Sequence, residues 1–263
     1  MNPRTCLAAL LTASVIFPGA AVRAEPIAVR VPEGSVRGFL ALRDKEGRIL
    51  ASGNLTEVVK GNHILSHMVF RFRDGSVDDE TTIFTQEGCF RLVSDHHIQK
   101  GRTFPEPMDM QIEAASGKVT VRYNDKGVEK VDTEQMKLPG DVANGVIFVM
   151  MKNIAPDVKD LKVPFVAATP KPRLVKLSVS ADGAERFRVG HLLENSNRFN
   201  IKIEIGGVAG VIAPLVGKQP PDMKVWIASG EVPEFVKLEG PLYLGGPIWT
   251  IELTSPVWPR AAR

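Results

Sequence analysis

From Gly47 onward the chain alternates apolar and polar residues at a period of two, not 3.6, and that rhythm most narrows what it can fold into. The stretches GRILASGNLTEVV, HILSHMVFRFRDG, ETTIFTQEG, CFRLVSDHH, MDMQIEAASG, KVTVRYNDKG and VEKVDTEQM follow one another closely. Each is short, most are rich in Val, Ile, Thr or Phe, and four of the seven end in Gly. Asp74-Gly75 and the Asn124 to Gly127 stretch are hairpin-turn signals between alternating segments. After a break the rhythm resumes in PRLVKLSVSADG, AERFRVG, RFNIKIEIGG, MKVWIASG, EFVKLEG and PIWTIELTSPVW. Successive strands joined by tight turns build an antiparallel meander, here of about fourteen strands.

The break is LPGDVANGVIFVMMKNIAP, where Val142 to Met151 is apolar without alternation. Asp141 can cap a helix start, and Asn153 with Pro156 can stop it. A helix apolar almost all round must be buried, and in a β protein its natural place is the concave face of the sheet. Gly145 inside it costs about 1 kcal/mol relative to Ala, which points to close packing there. A buried strand is the alternative. The stretch VAATPKPRL, with Pro170 and Pro172, cannot be a central strand. It is either a boundary near residues 166–173 or a rim loop of one curved sheet. A single β-rich domain over residues 25–263 is the expected organisation.

The first residues, MNPRTCLAALLTASVIFPGAAVRA, carry one early positive charge, an uncharged apolar run and small residues before Glu25. That is the pattern of a secretory signal peptide, residues 1–24, too short to span a membrane. We expect export to a bacterial periplasm and no transmembrane segment once the leader is removed. The net charge of +3 falls to +1 without Arg4 and Arg23, which leaves no electrostatic case for a nucleic-acid partner. Cys6 leaves with the leader, so Cys89 remains without a partner for a disulfide or a cysteine-based zinc site, and it reads as a small strand residue.

Candidate chemistry is sparse. DHHIQKG, Asp95 to Gly101, is the one place where an acid and two histidines stand together. His63 and His67 share a face at a spacing of four, and one of His96 or His97 could join them. Three-ligand zinc chemistry at His63, His67 and His97 is therefore reachable on paper, but no HExxH-like motif constrains it. The plainer expectation is that the DHH stretch is a polar strand end on the surface. The acidic run VDDETT lacks calcium-loop spacing and reads as a solvated edge. GGVAGVIAPLVGKQPP fails the spacing of a phosphate loop and of a dinucleotide loop, so no cofactor is expected. No GxSxG or SxxK nucleophile arrangement occurs. Trp226 and Trp249 are weak candidates for an aromatic wall around an apolar ligand, and more simply core anchors.

The order VWIASGEVPEFVKLEGPL followed by WTIELTSP resembles the closing hairpin of an uncharacterised family of exported bacterial proteins. The blocks FRFRDGSVDDETT, LPGDVANG and GGVAGVIAPLVGKQPP are similar to others of that kind from proteobacteria and acidobacteria. The resemblance implies a lipoprotein-carrier-like fold, an open and strongly curved sheet with a helix in its concavity, and it carries over no catalytic residue. The residues and the resemblance thus agree on a mainly β protein: a curved antiparallel sheet or half-open β-barrel with one buried helix. Such a shape suits a carrier of a lipid-like apolar molecule or an envelope scaffold with a protein partner. The rival is a metal-assisted hydrolase using His63, His67 and His97. Oligomeric state stays open.

Overall fold

The computed structural model describes residues 26–189, 192–204 and 220–254. The leader, Trp258 and most of GGVAGVIAPLVGKQPP lie outside the described residues.

Among the described residues one antiparallel sheet holds fourteen strands, and its order follows from two meanders that meet. The first runs through β1 (Val36–Arg43), β2 (Ile49–Lys60), β3 (His63–Phe72), β4 (Val77–Thr85), β5 (Arg91–Lys100), β6 (Met108–Glu113), β7 (Lys118–Asp125) and β8 (Val128–Gln135). The chain then crosses the concavity through one short helix, α1 (Ile147–Lys152). The return runs through β9 (Leu161–Ala167), β10 (Arg173–Val189), β11 (Leu192–Glu204), β12 (Met223–Ala228), β13 (Phe235–Gly240) and β14 (Trp249–Leu253). β14 pairs with β1, with Leu42 opposite Ile251, so the two meanders fuse and the sheet edges are β8 and β9. The sheet curves but does not close. No helix among the described residues is long and apolar enough to cross a membrane.

The turn chemistry read from the sequence is present. Gly75 sits at φ 85°, and Lys126 and Gly127 at φ 55° and 87° close the β7–β8 hairpin, where Asn124 Oδ1 accepts the Gly127 N–H. Alternation then sends one residue in two to the concave side. Phe70, Phe84 and Phe199 are fully buried there from strands, joined by Phe90 and Phe104 from loops, each worth about 1.5–3 kcal/mol of transfer free energy. Gly53 makes room for this packing, since a Cβ on it would lie 2.4 Å from the ring of Phe70, its cross-strand neighbour.

The break in the alternation is buried, as expected, but it is only partly helical. Val142, Ala143 and Val146 are fully enclosed, while the helix spans Ile147–Lys152 and starts at Val146 without a side-chain cap. Two contacts hold the preceding residues out of a helix. Asn144 pairs with the backbone of Val166 in both directions, Val166 N–H donating at 2.8 Å and Asn144 Nδ2 donating to Val166 O at 2.9 Å. The Ala143 N–H donates to Pro164 O at 2.9 Å. Gly145 follows at φ 63°, outside helical space. The segment therefore covers part of the β9 edge. Pro164, which has no N–H to offer, occupies an edge strand as its chemistry requires. The proline-rich residues 168–172 form the loop that joins β9 to β10 in the same sheet.

Candidate functional site: a buried acid band under the Gly145 turn

The run VDDETT is strand β4, four places in from the nearer edge, and not a solvated edge strand. Asp78, Glu80 and Thr82 point into the concavity, while Asp79 and Thr81 point outward. On β5 a register shift between Ile83 and Phe84 makes Ser94 and Leu92 their respective partners, so Val93 is an extra residue. Such a bulge flips the faces of everything beyond it. Leu92 is inward before the bulge, and Asp95, His97 and Gln99 are inward after it.

A polar band results across four strands. Register places Glu57, Ser66, Thr82 and Asp95 in one row, with Glu80 opposite His97 and Asp78 opposite Gln99 in the next two. Thr82 Oγ1 donates to Asp95 Oδ1 at 2.8 Å, and His97 Nε2 lies 2.8 Å from Asp78 Oδ1. Gln99 Nε2 donates to Asp78 Oδ2 at 3.1 Å and to Leu242 O at 2.8 Å. Asp95 Oδ2 is buried without a hydrogen-bond partner. At the other end, Lys152 of α1 reaches Glu33 at 2.6 Å and Glu234 at 3.2 Å. The roof is the Gly145 turn and Phe148. Beneath it lies a cavity of about 20 Å³, edged by Glu57, Ser66, Glu80 and Thr82, which is room for about one water molecule.

Six acids (Glu33, Glu57, Asp78, Glu80, Asp95 and the half-exposed Glu234) meet two cations, Lys152 and His97, so the band is short of positive charge. Protons supply the balance. Burial pushes the Glu57 carboxyl up to about 8, with the Glu33 charge adding to it and Lys152 opposing. Apart from its ion pair with Lys152, Glu33 Oε1, like Asp95 Oδ2, is buried without a hydrogen-bond partner. Burial likewise pushes Glu80 up to about 8, reinforced by Asp95. Asp95 rises to about 6 by burial, against the pull of His97 and Thr82. Burial alone would lower His97, but Asp78 and Glu80 outweigh it and hold the imidazolium up to about 10.

These directions fix a pH dependence. The folded state binds protons at Glu57, Glu80 and Asp95 that the unfolded chain releases near pH 4–4.5, so their ionisation is a cost confined to the folded state. The contribution of His97 is fully present below about pH 6.5 and is lost as pH rises toward 10. All four act in one direction. Stability should fall by several kcal/mol between about pH 5 and pH 9, at about 1.4 kcal/mol for each tenfold difference in proton affinity. Urea midpoints across that range check it, and a midpoint that rises with pH would contradict it.

The sequence candidates fall apart by face. His67 Nε2 contacts Asp79 Oδ1 and His97 Nε2 contacts Asp78 Oδ1, and consecutive strand residues point to opposite sides. His63 and His67 therefore share the outer face with His96, which pairs with Asp109 at 3.0 Å, while His97 is inside. The trio His63, His67 and His97 does not converge, and among the described residues no three His, Cys, Asp or Glu groups are placed to hold a metal ion. Nor is DHH a surface strand end, since Asp95 is 2% exposed. Trp226 and Trp249 also take opposite faces. Trp226 donates from Nε1 to Glu185 at 2.8 Å under Lys237, outside the main core. Trp249 packs within the core against Phe72 and Tyr243. Sequence reasoning missed Glu57, Glu33 and Lys152, which lie on three separate segments.

No protein-family model matches the chain, and no curated protein is significantly similar to it in sequence. Among solved structures, the chain is similar to a β-barrel-like protein of a domain of unknown function (DUF1849) from Brucella abortus. Identity is 10% and the TM-score 0.46, with 87% of this chain and 100% of that chain covered.

Proposed function

We propose that the protein is exported to the bacterial envelope and acts there as a scaffold, through the outer face and rim of a stiff curved sheet. The observation that carries this reading is the filled concavity. Fully buried phenylalanines, Met150 and Met151 occupy it, and the cavity beneath the Gly145 turn has room for a water and not for an acyl chain. The leader-like residues 1–24 support export. A carrier of a lipid-like molecule would have to expel the α1 segment first, breaking the Lys152–Glu33 pair and the Asn144–Val166 pair.

Native mass spectrometry of the protein recovered from a periplasm, without detergent or chelator, tests the reading. The expected species begins at Glu25 and carries no adduct. A bound acyl or sterol-like molecule of a few hundred daltons would replace the scaffold with a carrier. A chain found only in the cytoplasm with its leader uncleaved would overturn export.

A further inference from the structure

The two edges of the sheet are treated differently. β9 carries Pro164 and is met by Ala143 and Asn144. β8 has no proline and no bulge, is exposed for most of its length, and among the described residues pairs its backbone with β7 alone. A long uncovered edge is a template for another strand.

Its phase follows from the hairpin. The turn Lys126-Gly127 makes Asp125 and Val128 a pair that exchanges both hydrogen bonds, so alternate residues from Val128 face β7. The Met136 N–H donating to Gly117 O at 2.8 Å has the same phase. Glu129, Val131, Thr133 and Gln135 therefore turn their N–H and C=O groups outward.

We propose that β8 is a dimerisation strand, which pairs antiparallel with β8 of a second copy of this chain across a two-fold axis at Val131. Charge selects this register. With the axis at Glu129, Lys130 or Asp132, a charged residue would directly face its own copy. With the axis at Thr133, Asp132 would face Glu134. With the axis at Val131, Lys130 faces Asp132 of the other copy twice over, Glu129 faces Thr133, and Val128 faces Glu134. No like charges are opposed, and opposite-charge cross-strand pairs are favourable. The outward groups of Glu129, Val131 and Thr133 meet in phase. Val131, 53% exposed, is covered by its copy, and Val128, 60% exposed, lies opposite Glu134. Glu134 otherwise meets Lys171 of the β9–β10 loop at 3.4 Å, in a largely exposed pair. In the single chain Lys130 leans on Asp125, and both of these exposed pairs are readily exchanged. The charges that elsewhere guard an edge here admit one register and reject its neighbours.

Sedimentation of the full chain over a concentration series up to about 0.1 mM, suited to a small interface, tests the proposal. The wild type is expected to dimerise reversibly. Lys130→Asp and Asp132→Lys should each weaken the dimer by at least about tenfold, because each sets like charges face to face. The double variant Lys130→Asp/Asp132→Lys should restore it. A wild type that stays monomeric overturns the proposal. So does a dimer indifferent to the single changes, or one that the double change fails to rescue.

Discussion

Gly145→Ala is expected to lower unfolding free energy by at least about 3 kcal/mol, the sum of a left-handed backbone penalty and a buried clash. A Cβ there would lie 1.8 Å from Thr82 Oγ1 and 2.8 Å from Asp95 Oδ1. Neither atom can retreat without loosening the Thr82–Asp95 hydrogen bond. Asp95 would then have both oxygens buried and unsatisfied, which costs a further 1–3 kcal/mol, roughly, per group. Gly61 gives the control. It has the same φ of 63°, but a Cβ there meets nothing within 4 Å. Gly61→Ala should therefore cost only about 1–2 kcal/mol, the left-handed backbone penalty alone. Denaturant midpoints of the two variants separate the effects, and equal losses would mean that the turn does not press on the band.

Lys152→Ala should cost about 3–5 kcal/mol, the typical effect of removing one member of a buried ion pair. The Lys152 side chain is 7% exposed and the Glu33 side chain 5%, so little water is at hand to replace the lost contact. Glu33, Glu234 and Glu57 all hold the Lys152 ammonium above its ordinary value against its burial. Without it, acids crowd one site and Glu33 loses its cation. The double change Glu33→Gln/Lys152→Met removes both charges and should recover much of the loss, since a buried pair is often replaceable by neutral groups. A loss under about 1 kcal/mol for Lys152→Ala would show that Glu33 finds water or another partner.

The fold was legible where alternation was regular. The hairpins at Asp74-Gly75 and Asn124 to Gly127 needed no tertiary information, because the left-handed positions are local demands on the chain. VRGFLALR (β1) and LKVPFVA (β9) lack a clear alternation that would mark them as strands, and PRLVKLSVSADG with AERFRVG form one strand, β10. The helix is shorter than the apolar run Val142 to Met151, because apolarity dictates what is buried and not how the backbone turns. Asn144 and Gly145 decide that, through contacts with β9 and with the band.

The site was less legible, and one residue explains much of it. Alternation counted from Phe90 and Leu92 carries Ser94 and His96 inward and leaves Asp95 and His97 outside. The extra residue at Val93 reverses this assignment, and nothing local in RLVSDHH announces it. VDDETT misleads in another way. A run of acids ordinarily marks solvent, and here every second acid is buried because a histidine, a glutamine and bound protons from other strands satisfy it. Glu33, Glu57 and Lys152 come together only through the pairing of β2 and the path of α1.

The proposed scaffold role rests on a concave side that is filled by side chains and carries a band of buried acids held protonated. Following the side-chain carboxyl carbons of Glu57 and Glu80 by NMR through a pH titration tests it most directly. The account predicts that both remain protonated at neutral pH and titrate near about 8. Titration of both in the ordinary glutamate range, about 4–5, would mean that water reaches them freely. The roof over the band would then be open, and a ligand in the concavity would return as the better reading.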